Sequence, residues 1–254
     1  MEYVEVEQAV NAPGLRLVLT AGVPGPWGEA AKSLFDYKGL KYLPVRQEGG
    51  GENAALVAWT GQSSAPVAVF DDLPPVCHWL DLLHLAERLA PTPALLPADP
   101  AQRAEVLGLS ALIAGVDGFG WQRRLQLFVP GMALAEPPES IVRMAGKYGW
   151  SKQAAAQADQ RMAAIAGLLD ERLAAQEAAG KPWLVGEGVT AVDFYWANFV
   201  GMVLPLPPEV NPMPDYLRGM YASGAEETTR WLTPRLLAHR DSMYREHIRL
   251  PMDF

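Results

Sequence analysis

The sequence is poor in cysteine and histidine, with only Cys77 and four histidines among 254 residues. A single cysteine excludes an internal disulfide framework and a thiolate metal cluster, so no metal is expected and a reducing, cytoplasmic compartment is favoured. Positive charge is also scarce, because 21 Lys and Arg stand against 29 Asp and Glu, for a formal net charge of -8. With no basic stripe, neither nucleic acid nor an anionic membrane surface is an expected partner.

Targeting and membrane-spanning segments are missing from the sequence pattern as well. The N-terminus begins Met-Glu-Tyr-Val-Glu-Val-Glu, which is acidic where a secretory signal is basic and then apolar. No run of about 18 apolar residues is evident by inspection. The sequence therefore predicts a chain that is neither exported nor membrane-spanning.

The first part of the chain alternates strand and helix patterns. Residues 15–20 form a compact apolar run typical of a buried strand. Pro26 can occupy the first turn of a helix over residues 27–37, which Gly39 would end. Residues 41–45 follow as a second, edge-like strand. This order predicts a βαβ unit.

A change of pattern divides the chain near residue 91. Before it, residues 64–70 predict a third strand entered through a proline, Asp71-Asp72 a turn, and residues 76–90 an amphipathic helix. Residues 91–97 hold three prolines and resist helix formation, so they are the predicted linker. Beyond them the period is helical, with main helices predicted over 101–116, 152–179, 191–203 and 226–247. An α/β half followed by an all-helical half indicates two domains.

Three segments make this arrangement resemble a known family. They are Ala65-Pro66-Val67, a small-residue-Pro-Val step into the third strand; residues 82–89 with the proline-rich stretch directly after; and residues 183–193. Together they resemble the cytosolic glutathione transferase superfamily over nearly the whole chain, as a divergent member. The resemblance implies an α/β thioredoxin-like N-terminal domain over 1–91, with 1–13 as a leader, a linker over 92–98, and an all-α helical C-terminal domain over 99–254.

Two of these segments have local consequences. In the family the proline is cis and the residue before it pairs its backbone with the cysteinyl part of glutathione, so the resemblance implies this contact for Ala65, next to Pro66. A cis peptide before proline costs only about 0.5–1 kcal/mol, and the alternative is a trans proline starting an edge strand. Thr190 and Asp193 are predicted to form a structural capping box at the start of a buried helix.

The group that would activate the glutathione thiol is not obvious. The family uses a Tyr late in the first strand, or a Ser or Cys at the start of the first helix, to favour the thiolate. Residues 20–28 contain one hydroxyl, on Thr20, and no tyrosine, serine or cysteine. Thr20 is therefore the candidate catalytic residue, although it could instead cap its own loop. The free amides of Trp27 and Gly28 at a helix N-terminus could also bind a thiolate, and Trp27 could serve as a wall of the site or as core.

The position that holds the γ-glutamyl group in the family also departs from the pattern. A Glu or Gln followed by Ser is typical there, but this sequence has Val76-Cys77-His78. Cys77 and His78 are candidate donors to glutathione. The structural alternatives are a buried apolar role for Cys77 and a surface position for His78.

A pocket for a second substrate is predicted in the helical half. Phe119, Trp121 and Arg124 are its candidate residues, with Arg123 and Phe128 nearby. Aromatic walls beside a cation suit a hydrophobic electrophile or an acidic organic molecule.

The resemblance implies a glutathione-dependent transferase or isomerase that adds the thiolate of glutathione, its co-substrate, to a small hydrophobic or acidic electrophile. It also implies a homodimer. Because the usual Tyr, Ser and Cys are missing, the alternative is a non-catalytic relative that binds a ligand or a protein partner. A glutaredoxin-type reductase is excluded, since residues 24–28 contain no cysteine.

Overall fold

The N-terminal half is built on a small mixed sheet. The structure, a computed structural model, describes residues 1–224, 226 and 229–254. The sheet has the order β2-β1-β3, with β1 parallel to β2 and antiparallel to β3. Its elements are α1 (Val6–Ala9), β1 (Leu15–Thr20), α2 (Pro26–Tyr37), β2 (Leu43–Gln47), α3 (Ala54–Thr60), β3 (Val67–Phe70) and α4 (Trp79–Leu89). The predicted βαβ unit is confirmed, with β2 at an edge.

Two element boundaries differ from the predicted ones for hydrogen-bonding reasons. Strand β3 begins at Val67, after the proline, because Pro66 has no amide to donate. Helix α4 begins at Trp79 and not at residue 76. Val76 instead exchanges backbone hydrogen bonds of 2.8 and 2.9 Å with Ala68. Val76 therefore forms an isolated antiparallel bridge to β3.

The segment predicted to be a leader is part of the fold. Val4 forms a bridge to Val45 on β2. Val6 and Ala9 are buried against the sheet, in one cluster with Val18, Val45, Leu56 and Val67. Helices α1 and α3 thus cover one face of the sheet, and describing all of residues 1–13 as a leader was wrong.

The C-terminal half is helical and shares its core with α2. The helix over Ala191–Phe199 is buried over its whole length and packs on α2 and on the helices over Pro100–Ala114 and Pro234–Glu246. The helices are α5 (Pro100–Ala114), α6 (Phe119–Met132), α7 (Glu139–Lys147), α8 (Lys152–Ala178), α9 (Ala191–Phe199, continued by a 3-10 turn over Val200–Met202), α10 (Asp215–Ala222) and α11 (Pro234–Glu246). The chain therefore has the predicted fold class, a thioredoxin-like domain plus a helical domain.

The last helix begins later than the sequence pattern suggests. It was predicted from residue 226, and residues 225, 227 and 228 lie outside the described residues. Helix α11 begins at Pro234, since the Thr233 side chain accepts a hydrogen bond from the Leu236 amide and caps it.

One stretch, Pro100–Met132, is long and apolar enough to cross a membrane by length and composition alone. Half of its most apolar window, 50%, is buried inside the protein. Because α5 packs on α9 and α6 packs on α8, this stretch consists of core helices.

The start of α9 is held by one buried carboxylate. Asp193 is 0% exposed. Its Oδ2 accepts hydrogen bonds from the amide and the hydroxyl of Thr190, at 2.8 and 2.9 Å, and its Oδ1 accepts one from the Leu184 amide at 2.9 Å. His239 Nε2 lies 3.0 Å from the same carboxylate. Asp193 thereby satisfies donors that would otherwise be buried without a partner at the helix N-terminus.

Replacing this carboxylate should destabilise the fold. We expect Asp193→Ala to lower the free energy of unfolding by about 3–5 kcal/mol, because it breaks a buried, charged hydrogen-bond network. Denaturant unfolding followed by circular dichroism measures the loss. Asp215→Ala, an exposed first-turn carboxylate of α10, is the matched control and should cost less than about 1 kcal/mol. Equal losses for the two variants would show that Asp193 has no special structural role.

Candidate functional site

A cavity of about 470 Å³ opens between the two halves of the chain. The N-terminal half contributes the end of β1, the first turn of α2, and the loops after β2 and before β3. The helical half contributes residues of α6, α7 and α10. The site therefore depends on elements from both halves.

The first turn of α2 presents free backbone amides to this cavity. Gly25 is the N-cap and offers no side chain to accept them, and Pro26 has no amide. The first hydrogen bond to close is Glu29 N–H to Gly25 O, at 2.9 Å. The amides of Trp27 and Gly28 are thus left without an intrahelical partner, and both residues line the cavity. Such a helix start attracts anions.

Thr20 lines the cavity beside this helix start, but its hydroxyl is already used. It donates a 2.6 Å hydrogen bond to Gln47 Oε1. The Gln47 amide group in turn donates to the carbonyl oxygens of Glu48 and Ser63, at 2.6 and 3.2 Å. The hydroxyl therefore ties β1 to β2 and does not cap its own loop. Thr20 could donate to a thiolate only after leaving Gln47.

Ala65 and Pro66 lie at the entry to β3. The peptide bond between them is cis, and Ala65 lines the cavity while Pro66 is buried. The first turn of α2 contributes to the lining of the same cavity. The role of Ala65 in glutathione binding stays a prediction.

Helix α6 turns one face toward the cavity, and this face corrects two predictions. Arg124 and Phe128, four residues apart, line the cavity. Phe119 lies on another face, fully buried, with ring centroids 5.4 and 5.6 Å from Trp196 and Trp231. It is core and does not line the cavity.

Trp121 is the second corrected residue, since it supports the cavity wall from behind. Its indole N–H donates to the Tyr148 carbonyl oxygen at 2.9 Å, and the two rings lie 4.5 Å apart. Tyr148 lines the cavity in its place. Tyr148 in turn lies 6.2 Å from the Trp27 ring and 5.6 Å from the Phe128 ring.

Cys77 and His78 do not line the cavity either. Both are exposed at the start of α4, where His78 Nδ1 accepts a weak hydrogen bond from the Leu80 amide at 3.4 Å. Partial burial and the nearby Asp81 carboxylate raise the pKa of the Cys77 thiol. Cys77 is thus neither a buried apolar residue nor an activated thiol.

Sequence reasoning missed the cavity residues of α7 and α10. Arg143 and Lys147, four residues apart on α7, reach the loops of the other half. Arg143 donates to the Gly50 carbonyl oxygen at 2.7 Å, and Lys147 donates to the Ser64 hydroxyl at 2.7 Å. Their spacing on an amphipathic helix was a usable signal. Tyr221 comes from α10, far along the chain, and carried none.

The cavity is electrically positive although the protein carries a net charge of -8. Burial disfavours the charge of Arg124, but interactions with Tyr221 and Tyr148 outweigh this effect and raise the pKa of Arg124. Burial lowers the pKa of Lys147, and the Arg124 cation lowers it further. Within the described part of the chain, neither residue nor Arg143 forms an ion pair.

One acidic residue, Glu29, also lines the cavity, but its charge is compensated. Its carboxylate lies 3.0 Å from the Lys32 ammonium, and both side chains are buried. Burial raises the pKa of Glu29, and Lys32 opposes that effect. No group of His, Cys, Asp and Glu side chains that could hold a metal ion occurs among the described residues.

Comparison with known proteins shows what the sequence and the fold are similar to. The family model of the glutathione S-transferase C-terminal domain matches residues 126–233. No curated protein matches the sequence significantly.

Solved structures share the fold across both halves. A glutathione S-transferase from Methylobacterium radiotolerans, in complex with glutathione sulfonate, is 18% identical with a TM-score of 0.62, covering 91% of each chain. A glutathione transferase family member from Pseudomonas fluorescens with two glutathione molecules bound is 16% identical with a TM-score of 0.65, covering 95% of this chain and 94% of the other. A glutathione S-transferase from Methylobacillus flagellatus with glutathione bound is 14% identical with a TM-score of 0.63, covering 91% and 95%.

At these identities the structural matches establish the fold, and the family model adds sequence similarity over much of the helical half. The chain therefore has the fold of the glutathione S-transferases, and its helical half is similar in sequence to their C-terminal domain.

Proposed function

We propose that the protein is a glutathione-dependent transferase, or an isomerase that uses glutathione, acting on a small electrophile. The observation that carries this function is the single cavity that joins the free amides of α2 and Ala65 to an aromatic and cationic wall on α6 and α7. The similarity of the helical half to the glutathione S-transferase C-terminal domain, and the glutathione bound in structures of the same fold, support it.

Glutathione would lie along Ala65 with its thiol at the start of α2. The amides of Trp27 and Gly28 and the positive end of the helix dipole favour the thiolate, which is the reactive form. Glutathione carries two carboxylates, and Arg143 and Lys147 stand over the adjoining Gly50 and Ser64. Their positive charge suits such a ligand.

The electrophile would enter from the helical half, beside Tyr148 and Phe128. In a conjugation, the thiolate sulfur forms a bond to an electrophilic carbon. The leaving group departs with its electron pair, and the thiol proton goes to solvent through the open side of the cavity. The protein contributes the thiolate and the position of the two substrates.

A non-catalytic binding protein is the second candidate, and one observation favours it. The thiol-activating Tyr, Ser or Cys of the family is missing from residues 20–28, and the one hydroxyl there, on Thr20, is bound to Gln47. Such a protein would bind glutathione and a second ligand without turnover.

Three further features stay proposals. The homodimer follows from the family resemblance, the cytoplasmic location from the single cysteine, and the domain boundary over residues 92–98 from the proline-rich stretch. The boundary is compatible with the positions of the helices, because α4 ends at Leu89 and α5 begins at Pro100.

Calorimetric titration with reduced glutathione and with S-hexylglutathione tests the proposed function. We expect both to bind, and the hexyl form at least about tenfold more tightly, because its alkyl chain would bury apolar surface against Phe128 and Tyr148. Equal affinities of the two ligands would show that no apolar pocket lies beside the thiol. No binding of either ligand at millimolar concentration would refute the glutathione site.

A side chain that caps α2 should stabilise the protein and slow the reaction. In Gly25→Asp the new carboxylate would accept the amides now free, and Gly25 has a backbone conformation and open space that allow it. We expect a gain of only about 0.3 kcal/mol in the free energy of unfolding, because glycine is itself a favourable N-cap residue. At pH 7 we expect roughly a tenfold or greater loss of kcat/KM with 1-chloro-2,4-dinitrobenzene, because the pKa of the bound thiol rises.

The control for this variant is Gly25→Ala, which adds a side chain without an acceptor and should keep the wild-type pH profile. Because the pKa of the thiol is raised in Gly25→Asp, its rate should recover as pH increases. A loss that is the same at every pH would indicate blocked binding and contradict thiolate stabilisation by the helix.

Substitution of Thr20 tests the other possible thiol donor. We expect Thr20→Val to keep kcat/KM within about fivefold of wild type and to leave the thiol pKa unchanged, since its hydroxyl is bound to Gln47. The pH dependence of conjugation measures both. A loss of about 100-fold with a raised thiol pKa would instead identify Thr20 as the catalytic donor, and Thr20→Ser should then retain activity.

A further inference from the structure

Two neighbouring arginines on α6 have opposite surroundings. Arg123 donates to the carbonyl oxygens of Met202, Tyr221 and Ser223, at 3.0, 2.8 and 2.8 Å. It holds α10 and the following turn against α6, and burial lowers its pKa to about 10. Arg123 is therefore a structural residue whose donors are used.

Arg124 donates to no backbone carbonyl oxygen among the described residues, and the groups that favour its charge are the side chains of Tyr221 and Tyr148. Its Nε is buried without a hydrogen-bond partner, and its guanidinium faces the cavity. Among the described residues it forms no ion pair. Tyr221 and Tyr148 raise the pKa of Arg124. The Arg124 cation in turn lowers the pKa of Lys147. A partly buried cation without a counter-charge is costly, and an anionic ligand removes that cost.

The groups around Arg124 form a suitable receptor for a carboxylate. The guanidinium carbon lies 5.9 Å from the Trp27 ring centre and 5.9 Å from the Tyr221 ring centre, so the cation is within reach of two aromatic rings. Burial raises the pKa of Tyr148, so this hydroxyl remains a donor at neutral pH. A planar guanidinium with adjacent hydroxyl donors matches the geometry of a carboxylate.

The neighbouring walls are apolar. Three apolar side chains, one each from α6, α7 and α10, also line the cavity: Phe128, Met144 and Leu217. An aromatic or unsaturated acid would place its carboxylate at Arg124 and its carbon skeleton against these side chains. Arg143 and Lys147, in contrast, are bound to the loops of the N-terminal half, where glutathione is expected.

We propose that Arg124, Tyr148 and Tyr221 form an anion subsite that holds a carboxylate of the second substrate, so that the electrophile is an acid of about the size of a substituted benzoate. This subsite rests on the proposed glutathione transferase function and names the substrate class for it. With 4-chloro-3-nitrobenzoate, for example, the C–S bond forms, the C–Cl bond breaks, chloride leaves with the electron pair, and the thiol proton goes to solvent.

A pair of matched ligands tests this subsite without requiring turnover. S-(4-carboxy-2-nitrophenyl)glutathione and its carboxamide analogue, S-(4-carbamoyl-2-nitrophenyl)glutathione, differ in one charge. We expect calorimetry on the wild-type protein to give at least about tenfold tighter binding of the carboxylate. In Arg124→Met the ratio of the two dissociation constants should fall to within about twofold of one.

Three further variants make the test specific. Lys152→Met removes one positive charge from an exposed position at the start of α8 and should keep the wild-type ratio. Tyr148→Phe and Tyr221→Phe each remove one hydroxyl and should lower the ratio by about threefold or more. These two variants still test the subsite if Arg124→Met does not fold, which circular dichroism would show.

Each other outcome overturns a defined part of the inference. A ratio near one on the wild-type protein, with glutathione itself bound, overturns the anion subsite and leaves the transferase function standing. If Arg124→Met weakens the binding of both conjugates equally, Arg124 contacts the glutathione moiety, and the anion subsite is overturned as well.

If glutathione and both conjugates fail to bind, the proposed function is refuted. Titration with 4-chloro-3-nitrobenzoate alone then tests the anion subsite. Binding to the wild-type protein but not to Arg124→Met would support the subsite, and no binding would overturn it.

Discussion

The arrangement of the cavity depends on the buried helix α9, whose first turn is held by the Asp193 carboxylate. From this fixed start, α9 reaches two elements of the N-terminal half. The Tyr195 hydroxyl donates to the Trp79 carbonyl oxygen at 3.0 Å, and the Asn198 side-chain amide donates to the Ser33 hydroxyl at 3.2 Å. The first contact secures α4 and the second secures α2. Because α2 also provides the free amides of the cavity, the position of the site follows from this one helix.

Charge in this protein is distributed so that an acidic chain carries a positive cavity. The acidic side chain in the lining, Glu29, is compensated by Lys32, whereas Arg124, Arg143 and Lys147 have no carboxylate partner within the described residues. The interactions of α7 with Gly50 and Ser64 bring two of these cations across from the helical half. The site therefore favours anionic ligands through long-range charge, and the aromatic rings of Trp27 and Tyr148 give it shape.

Much of the fold could be predicted from the sequence, because it depends on local patterns. The apolar run 15–20, Pro26 at a helix start and the box formed by Thr190 and Asp193 each act within a few residues. Errors arose where a distant partner decides the structure. Val76 was predicted in a helix but pairs with Ala68, and residues 4–9 were predicted as a leader but pack on the sheet. Only the assembled sheet offers those partners.

The sequence by itself determined the two-domain fold class, the absence of a family-type thiol donor in residues 20–28 and the free amides of an uncapped helix start. These features follow from the identity and order of neighbouring residues. Only the tertiary structure decided that Arg123 is structural and Arg124 faces the cavity, that Trp121 lies behind Tyr148, and that Thr20 is bound to Gln47. The reason is physical: the side of a helix that a residue occupies follows from its period, but what lies on that side is set by elements far away in the chain.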